Sequence, residues 1–287
     1  MSYIIFIPEK SGAHMAHRKA GIYLLIISLS ALNLVVNSAD IEKGLFLYLP
    51  IDEGTGGTVK DWGPNNFKTE MSKKRPKWVQ GNQPDFGKAL EFNGKDNYVK
   101  IDAATQGKDF DAHIDKNSGM TICAWVKVIK TATDTHGQTR QPIVMKGAGG
   151  AWEFALYVYD SMAPGMSVWT CPGSGVSEPS GGTLGTNWRY QCGTYNVKEG
   201  VKVYLDGKKD IIAQGGNNGE PCKTGTRPIF IAHREDGQFL NAIIAQVRMW
   251  ERILSVNEMN MAMKTTSMAV RHLNKLSMTW AKIKSPT

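Results

Sequence analysis

The stretch from Trp188 to Lys208 reads WRYQCGTYNVKEGVKVYLDGK and decides the fold of the chain. Its second half alternates three apolar residues with more polar ones: Val201, Val203 and Leu205. Side chains two positions apart lie on one face of a strand, so this alternation predicts a half-buried β-strand. The Asp-Gly pair at 206–207 tolerates the positive φ angles of a tight turn. The stretch therefore predicts two antiparallel strands joined through the polar residues 196–200, with a tight turn after the second strand.

Four further segments carry strand and turn patterns in a fixed order: DEGTG at 52–56, GKALEFNGKDNYVKI at 87–101, MTICAWVK at 120–127 and FLNAIIAQVRMWERILS at 239–255. In the third segment, alternate apolar residues are predicted to share one face: Met120, Ile122, Ala124 and Val126. With the GTYN and VYLDG motifs of the first stretch, these segments resemble LamG-like jelly-roll domains of the concanavalin A-like lectin/glucanase superfamily. The resemblance covers about residues 44–264.

The predicted fold is all-β: a two-sheet antiparallel jelly-roll sandwich with a short C-terminal helix. Ser255 and Glu258 have the spacing of a capping box, which predicts a helix over residues 256–264. Residues 63–86 are rich in Pro, Asn and Lys, which favours a loop with little strand. The predicted domain is residues 40–264, followed by a C-terminal tail at 265–287.

An uncharged apolar run at residues 20–36 follows His-Arg-Lys and precedes small residues, which is the order of a secretory signal peptide. We predict a signal at 1–39, with residues 1–14 as an extension from an upstream start codon, and an uncleaved N-terminal anchor as the alternative. The expected location is secreted, periplasmic or at the cell surface. The sequence contains no nucleic-acid-binding motif, so no nucleic-acid partner is expected. No membrane contact is expected beyond the possible N-terminal anchor.

The formal net charge of +8 attracts acidic polysaccharides and other polyanions, although a basic solvated surface gives the same count. Four cysteines in an exported chain predict two disulfides, with free thiols as the alternative. Cys171 and Cys192 lie on strands that follow one another in the chain. Their pairing is therefore favoured, which leaves Cys123 with Cys222.

A glycosidase needs two carboxyl groups about 5–10 Å apart. Glu153 and Asp160 bracket one predicted strand, but a regular strand directs them to opposite faces, and no alternating glucanase motif is present. We therefore predict no catalytic residues. The alternative hypothesis is a polysaccharide-active glycoside hydrolase or lyase. A further alternative is a structural surface or scaffold protein.

The family resemblance implies a Ca²⁺ site built from oxygen ligands in two turns. The matching donors are Asp52, Asn93 and Asp96, or Asn97 in place of Asp96. The chain departs from the family pattern at Ala245, where the family has an aspartate, so one carboxylate ligand is lost. In the alternative interpretation, Asp52 and Asn93 cap turns.

Aromatic side chains supply the predicted ligand contacts, because flat rings cover the C–H faces of sugars. Tyr157 and Tyr159 share one strand face and Trp169 lies on a neighbouring strand, whereas Trp152 and Phe154 are predicted on the opposite face. Core packing is the alternative for each of them. By fold-level analogy, the predicted function is non-catalytic recognition of an extracellular glycan or protein.

Overall fold

The computed structural model describes residues 41–81, 87–102, 118–131, 140–171, 175–177, 180–208, 213–215 and 219–265. Two compact units divide the chain, Met1–Glu42 and Lys43–Thr287, and the fold described below belongs to the second. The predicted signal at 1–39 lies outside the described residues, as does the tail from residue 266 onward. Among the described residues, no helix combines the length and apolar character that crossing a membrane requires.

The described part of the second unit contains seventeen strands and the helix α1. The elements in chain order are β1 (Leu45–Leu49), β2 (Thr69–Met71), β3 (Lys77–Gln80), β4 (Lys88–Asn93), β5 (Val99–Ile101), β6 (Gly119–Lys130), β7 (Arg140–Ala148), β8 (Ala151–Tyr159), β9 (Pro164–Thr170), β10 (Gly175–Ser177), β11 (Arg189–Asn196), β12 (Gly200–Leu205), β13 (Ala213–Gly215), β14 (Ile229–Ile231), β15 (His233–Arg234), β16 (Gln238–Phe239), β17 (Asn241–Trp250) and α1 (Val256–Lys264).

Two antiparallel sheets form the body of this unit. The eight-stranded sheet has the order β13-β12-β11-β6-β17-β4-β3, with β1 paired to the far end of β17. The seven-stranded sheet has the order β10-β9-β8-β7-β14-β5-β2. A separate hairpin of β15 and β16 connects β14 to β17. The predicted two-sheet all-β fold is confirmed.

Alternating apolar residues of both sheets build the core between them. The predicted face of β6 is buried in this core, as are Val201, Val203 and Leu205 of β12. The turn after β12 is also as predicted, since Asp206 and Gly207 both have positive φ angles. The predicted loop at 63–86 is described as far as residue 81, and it contains only the short strands β2 and β3, in agreement with the prediction of little strand. β2 pairs with β5 at the edge of one sheet, and β3 pairs with β4 at the edge of the other.

The helix α1 covers the outer face of the eight-stranded sheet. Ser255 and Glu258 form the predicted capping box, and Met259 and Ala262 are buried in a second apolar cluster with Trp125, Tyr190 and Trp250. The indole Nε1 of Trp125 donates a hydrogen bond to the carbonyl of Met263 at 3.2 Å. The helix therefore packs on a continuous apolar surface.

Both disulfides form, but the predicted pairing is wrong: the bonds are Cys123–Cys192 and Cys171–Cys222. Cys192 on β11 lies directly opposite Cys123 on β6, with a Cα–Cα distance of 4.2 Å. Cys171 follows β9 in the other sheet, and the backbone beside it pairs with residues 220–222. The strands next to Cys171 and Cys192, β9 and β11, therefore lie in different sheets although they are close in the chain, so chain order was a poor guide to the pairing.

Candidate functional site

The structure brings the three predicted ligand-binding aromatics together on the outer face of the seven-stranded sheet. Tyr157 belongs to a small buried cluster with Met145 and Ala155, and Tyr159 and Trp169 pack against this cluster. Tyr157 is fully buried, and burial raises the pKa of its hydroxyl. Tyr159 and Trp169 are half-buried, so these two side chains are the ones that a ligand can touch.

Trp152 joins the same face, contrary to the prediction that it shares a side with Phe154. A β-bulge causes the difference: Phe154 pairs with Lys146 and Trp152 with the next residue, Gly147, so Glu153 is the extra residue. The bulge reverses the alternation, and Trp152 packs against the outer cluster. The guanidinium of Arg234 lies 4.3 Å from the centre of the Trp152 ring.

Glu153 is fully buried and forms an ion pair with Lys146, which is also fully buried, at 2.5 Å. Thr224 joins them, because its Oγ1 donates to the Glu153 carboxylate at 2.9 Å and accepts from the Lys146 ammonium at 2.6 Å. Asp160 follows the opposite end of β8, roughly 20 Å away at the rise of a strand. Glu153 and Asp160 therefore do not form the carboxyl pair of a glycosidase, which needs about 5–10 Å.

Two of the three predicted calcium ligands meet in the turn after β4. The Asn93 amide Nδ2 donates to Asp96 Oδ1 at 2.9 Å, and Asn93 Oδ1 accepts from the backbone N–H of Lys95 at 2.9 Å. Lys74 forms an ion pair with Asp96 Oδ2 at 2.5 Å. These contacts lower the pKa of Asp96, with the Asn93 hydrogen bond as the largest cause. N–H groups of the protein therefore already contact the side-chain oxygens of Asn93 and Asp96 that were predicted to bind calcium.

Asp52, the third predicted ligand, lies at the other end of β4. It is beside Gly87, where an added Cβ would be 3.4 Å from the Asp52 Cβ. Gly87 precedes β4 and Asn93 ends it, so Asp52 and Asn93 are separated by about 20 Å of extended chain. No cluster of three or more His, Cys, Asp or Glu that could hold a metal occurs in the described ranges. Calcium binding stays a prediction.

A pocket of about 210 Å³ opens where several strands end at one edge of the sandwich. Asn241, the first residue of β17, pairs with Asn93 of β4 on one side and with Lys130 of β6 on the other. The pairing places these three residues in a row across the sheet, at about 4.8 Å per strand. The rest of the lining comes from the turn after β4, from β7 and from β16: Gly94, Lys95, Gln141 and Phe239.

Gly94 lets the turn approach β17. Its φ angle is +68°, and a Cβ at this position would lie 2.8 Å from the Cβ of Asn241, closer than real side chains pack. The Asn-Gly pair at 93–94 is typical of such a tight turn. Lys130 and Gln141 were missed as site residues because they lie outside the segments that resemble the family. Phe239 and Asn241 lie in one of those segments, but its pattern predicted a strand and no binding role.

The Phe239 ring belongs to a stack of rings behind the pocket. Its centroid lies 4.3 Å from that of His233, which also stacks on Tyr98 at 4.7 Å. His233 Nδ1 lies 3.2 Å from the carbonyl oxygen of Gln238. Burial lowers the pKa of His233 from 6.5 to about 4, so the ring is neutral near pH 7. The stack fixes the position of the Phe239 ring at the pocket wall.

Two antiparallel sheets packed face to face define the chain as a β-sandwich protein. A laminin G domain model, described as the Concanavalin A-like lectin/glucanases superfamily, matches residues 93–260. The match covers more than half of the chain, and the chain therefore belongs to this superfamily. No curated protein matches the sequence.

Solved structures with the same fold include binding domains of bacterial toxins. The binding domain of Paraclostridial Mosquitocidal Protein 1 has a TM-score of 0.57 at 17% identity, over 77% of this chain and 52% of that chain. A botulinum neurotoxin type C structure, described as dependent on two ganglioside molecules for cell entry, has a TM-score of 0.54 at 13% identity, over 78% and 51%. Trypanosoma rangeli sialidase with difluorosialic acid has a TM-score of 0.51 at 14% identity, over 76% and 32%.

At these identities the similarity establishes the shared fold alone. The chain spans about half the length of the toxin chains and about a third of the sialidase. The ligands of those proteins are therefore not carried to this chain by the alignment.

Proposed function

We propose that this protein is an extracellular recognition module that binds a glycan without cleaving it. The observation that carries the proposal is the edge pocket, whose lining residues include the aromatic Phe239 and the amide residues Asn93, Gln141 and Asn241. An aromatic ring covers the C–H face of a sugar, and amides both donate to and accept from its hydroxyl groups. A pocket that combines one ring with several amides matches the two kinds of surface that a sugar presents.

The size of the pocket indicates how much of a glycan it holds. Its volume of about 210 Å³ is below the roughly 300–1,000 Å³ typical of pockets for drug-sized ligands. A single terminal sugar residue suits such a space, and the rest of the chain would extend over the surface. The half-exposed rings of Tyr159, Trp169 and Trp152 offer further contact area on the seven-stranded sheet.

Extracellular action is supported by the two disulfides, which persist in oxidising compartments. The predicted signal at 1–39 supports the same location. Similar folds occur in toxin binding domains, which agrees with a recognition role.

Binding without cleavage is supported by the chemistry of the pocket. Glycoside hydrolysis requires two positioned carboxyl groups. The described residues that line the pocket include no aspartate or glutamate, and Glu153 is buried in an ion pair elsewhere. The hypothesis of a glycoside hydrolase therefore gains no support from this pocket. Ca²⁺ at Asp52, Asn93 and Asp96 stays a prediction that the binding experiment also tests.

The test is a glycan array probed with the purified protein, with and without a chelator, and with two variants. Phe239→Leu combined with Asn241→Ala removes the ring and one amide from the pocket. Trp62→Leu is the matched control, since Trp62 is an exposed aromatic side chain outside the pocket lining.

We expect the unaltered protein to give glycan signals on the array. These signals should fall at least about tenfold in the pocket variant, equivalent to about 1.4 kcal/mol of binding free energy. The control variant should retain them. Loss of signal with the chelator alone would assign a role to calcium. Absence of any glycan signal in both conditions would refute the proposed function.

A further inference from the structure

We infer that the edge pocket selects a sugar carrying a carboxylate or sulfate group, an inference that rests on the proposed glycan function. The charged residues that line the pocket in the described part of the chain are both lysines, Lys95 and Lys130. An anionic substituent is therefore the ligand feature that this lining recognises.

The two lysines lie at opposite ends of the row of paired residues that includes Asn241 and Asn93. Lys130 ends β6 and stands directly across from Asn241 on β17. Asn241 in turn stands across from Asn93 on β4, and Lys95 is two residues further along in the turn. A sugar that contacts the central amides therefore has a lysine within reach on either side, whichever way its acidic group points.

Both lysines are exposed, and neither forms an ion pair with another described residue. Asp96, which follows Lys95 in the turn, contacts Lys74 at 2.5 Å and also accepts from the Asn93 amide at 2.9 Å. Lys95 also attracts Asp96, but this attraction is the smallest of the causes that lower the pKa of Asp96. Because Lys74 offsets the charge of Asp96, the two lysines of the pocket keep a positive potential. The net charge of +8 raises the local concentration of polyanions around the whole molecule.

The pocket also differs from a cation site. Calcium requires several carboxylate or carbonyl oxygens at about 2.3–2.6 Å, and ammonium groups in the same lining repel a metal ion. Where the resemblance to the family predicted a cation beside Asn93, the surrounding side chains favour an anion.

Isothermal titration calorimetry with four ligands tests the inference: 3′-sialyllactose, a glucuronic-acid-terminated disaccharide, a 6-sulfated lactose and neutral lactose. The double variant Lys95→Gln with Lys130→Gln removes both charges while keeping hydrogen-bonding groups. Lys43→Gln with Lys208→Gln is the control of equal net charge, because both residues are exposed and lie outside the pocket lining.

We expect at least one acidic ligand to bind about tenfold or more tightly than lactose, equivalent to about 1.4 kcal/mol. The pocket double variant should lose this preference while its affinity for lactose changes less than about twofold. The control variant should retain the preference. Raising the salt from about 0.05 M to about 0.5 M should weaken acidic ligands selectively, since salt screens exposed charges.

Three outcomes would overturn the inference, and each has a different meaning. Equal affinity for lactose and the acidic ligands would remove the selectivity and leave the glycan function standing. Acidic binding that survives in the pocket double variant would place the anion elsewhere. No binding of any of the four ligands, together with an empty glycan array, would remove the proposed function itself.

Discussion

The outer face of each sheet carries an arginine packed on an aromatic ring, and the surroundings of the two pairs differ. On the eight-stranded sheet, the guanidinium of Arg248 lies 4.2 Å from the centre of the Tyr48 ring. On the seven-stranded sheet, Arg234 lies 4.3 Å from the centre of the Trp152 ring. Both arginines are buried, at 3% and 8% exposure. The intrinsic contact between cation and ring is therefore closely similar on the two faces.

The difference lies in what else the two guanidinium groups contact. Arg248 donates to the carbonyls of Ala262 and Thr265 at the C-terminal end of α1, the latter at 2.8 Å, and to Gln246 Oε1 at 3.0 Å. It therefore satisfies carbonyls that a helix end leaves unpaired. Among the described residues, Arg234 pairs with Asp236 at 2.8 Å and donates a longer hydrogen bond to the Tyr157 hydroxyl at 3.4 Å, but its Nε has no hydrogen-bond acceptor.

On the eight-stranded sheet, the arginine of the pair therefore has a structural role, because Arg248 holds the C-terminal end of α1 against the sheet. The other pair, Arg234 with the half-exposed ring of Trp152, lies on the same cluster as the half-exposed ring of Trp169, and the described residues place no helix over it. One face of the sandwich stabilises the fold, and the opposite face keeps aromatic surface within reach of a ligand.

The same replacement at the two arginines should separate these roles. Arg248→Met should lower the free energy of unfolding by about 3 kcal/mol or more, because two helix carbonyls and an amide lose a charged donor. Arg234→Met should cost about 1 kcal/mol, because methionine keeps the contact with the ring and the lost ion pair is with the partly exposed Asp236. Urea denaturation measures both. Equal costs would contradict the comparison.

Acid should destabilise the seven-stranded side through His233. Its pKa is about 4 in the folded protein and 6.5 in the unfolded chain, so the unfolded chain binds more protons between these values. The stabilisation is therefore complete above pH 6.5 and is lost as the pH falls towards 4, up to on the order of 3 kcal/mol. Urea denaturation at several pH values checks the slope.

The control for this titration is His233→Phe, which keeps an aromatic ring between Tyr98 and Phe239 but cannot bind a proton. Its unfolding free energy should change less between pH 6.5 and 4.5 than that of the unaltered protein. Parallel pH profiles for the two proteins would show that His233 does not cause the loss.

Replacing tryptophan by phenylalanine on each face should give smaller effects than Arg248→Met, and Trp169→Phe should give the smallest of all. Trp125→Phe removes the indole N–H that bonds to the carbonyl of Met263 under α1, which should cost about 1–2 kcal/mol. Trp169→Phe removes a half-exposed ring edge and should cost about 0.5 kcal/mol or less. Thermal unfolding of both variants provides the measurement. A larger loss for Trp169→Phe would mean that the seven-stranded face is as closed as the other.

Local alternation predicted the strands well because burial of one strand face imposes a period of two on the sequence. The apolar faces of β6 and β12 agree with the predicted alternation. The turn at Asp206–Gly207 and the helix cap at Ser255 also agree with their predictions, which came from local motifs. The prediction for Trp152 was wrong because a bulge inserts one residue into β8, which reverses every side chain beyond it. A single extra residue leaves almost no trace in an alternating pattern.

Relations between distant segments were predicted less well. The disulfide pairing followed chain order, whereas β11 lies beside β6 and β9 belongs to the other sheet. The calcium ligands were expected to meet, yet Asp52 and Asn93 lie near opposite ends of β4. The pocket was not predicted at all, because Asn93, Lys130 and Asn241 are brought together by strand pairing alone.

By itself the sequence determined that this chain forms a β-sandwich capped by one short helix, because hydrophobic burial, turn geometry and helix capping act over a few neighbouring residues. Only the tertiary structure decided which strands are neighbours, which cysteines meet and which polar side chains share a pocket. Those choices depend on strand register between segments tens of residues apart, and register is set by the packing of the whole core.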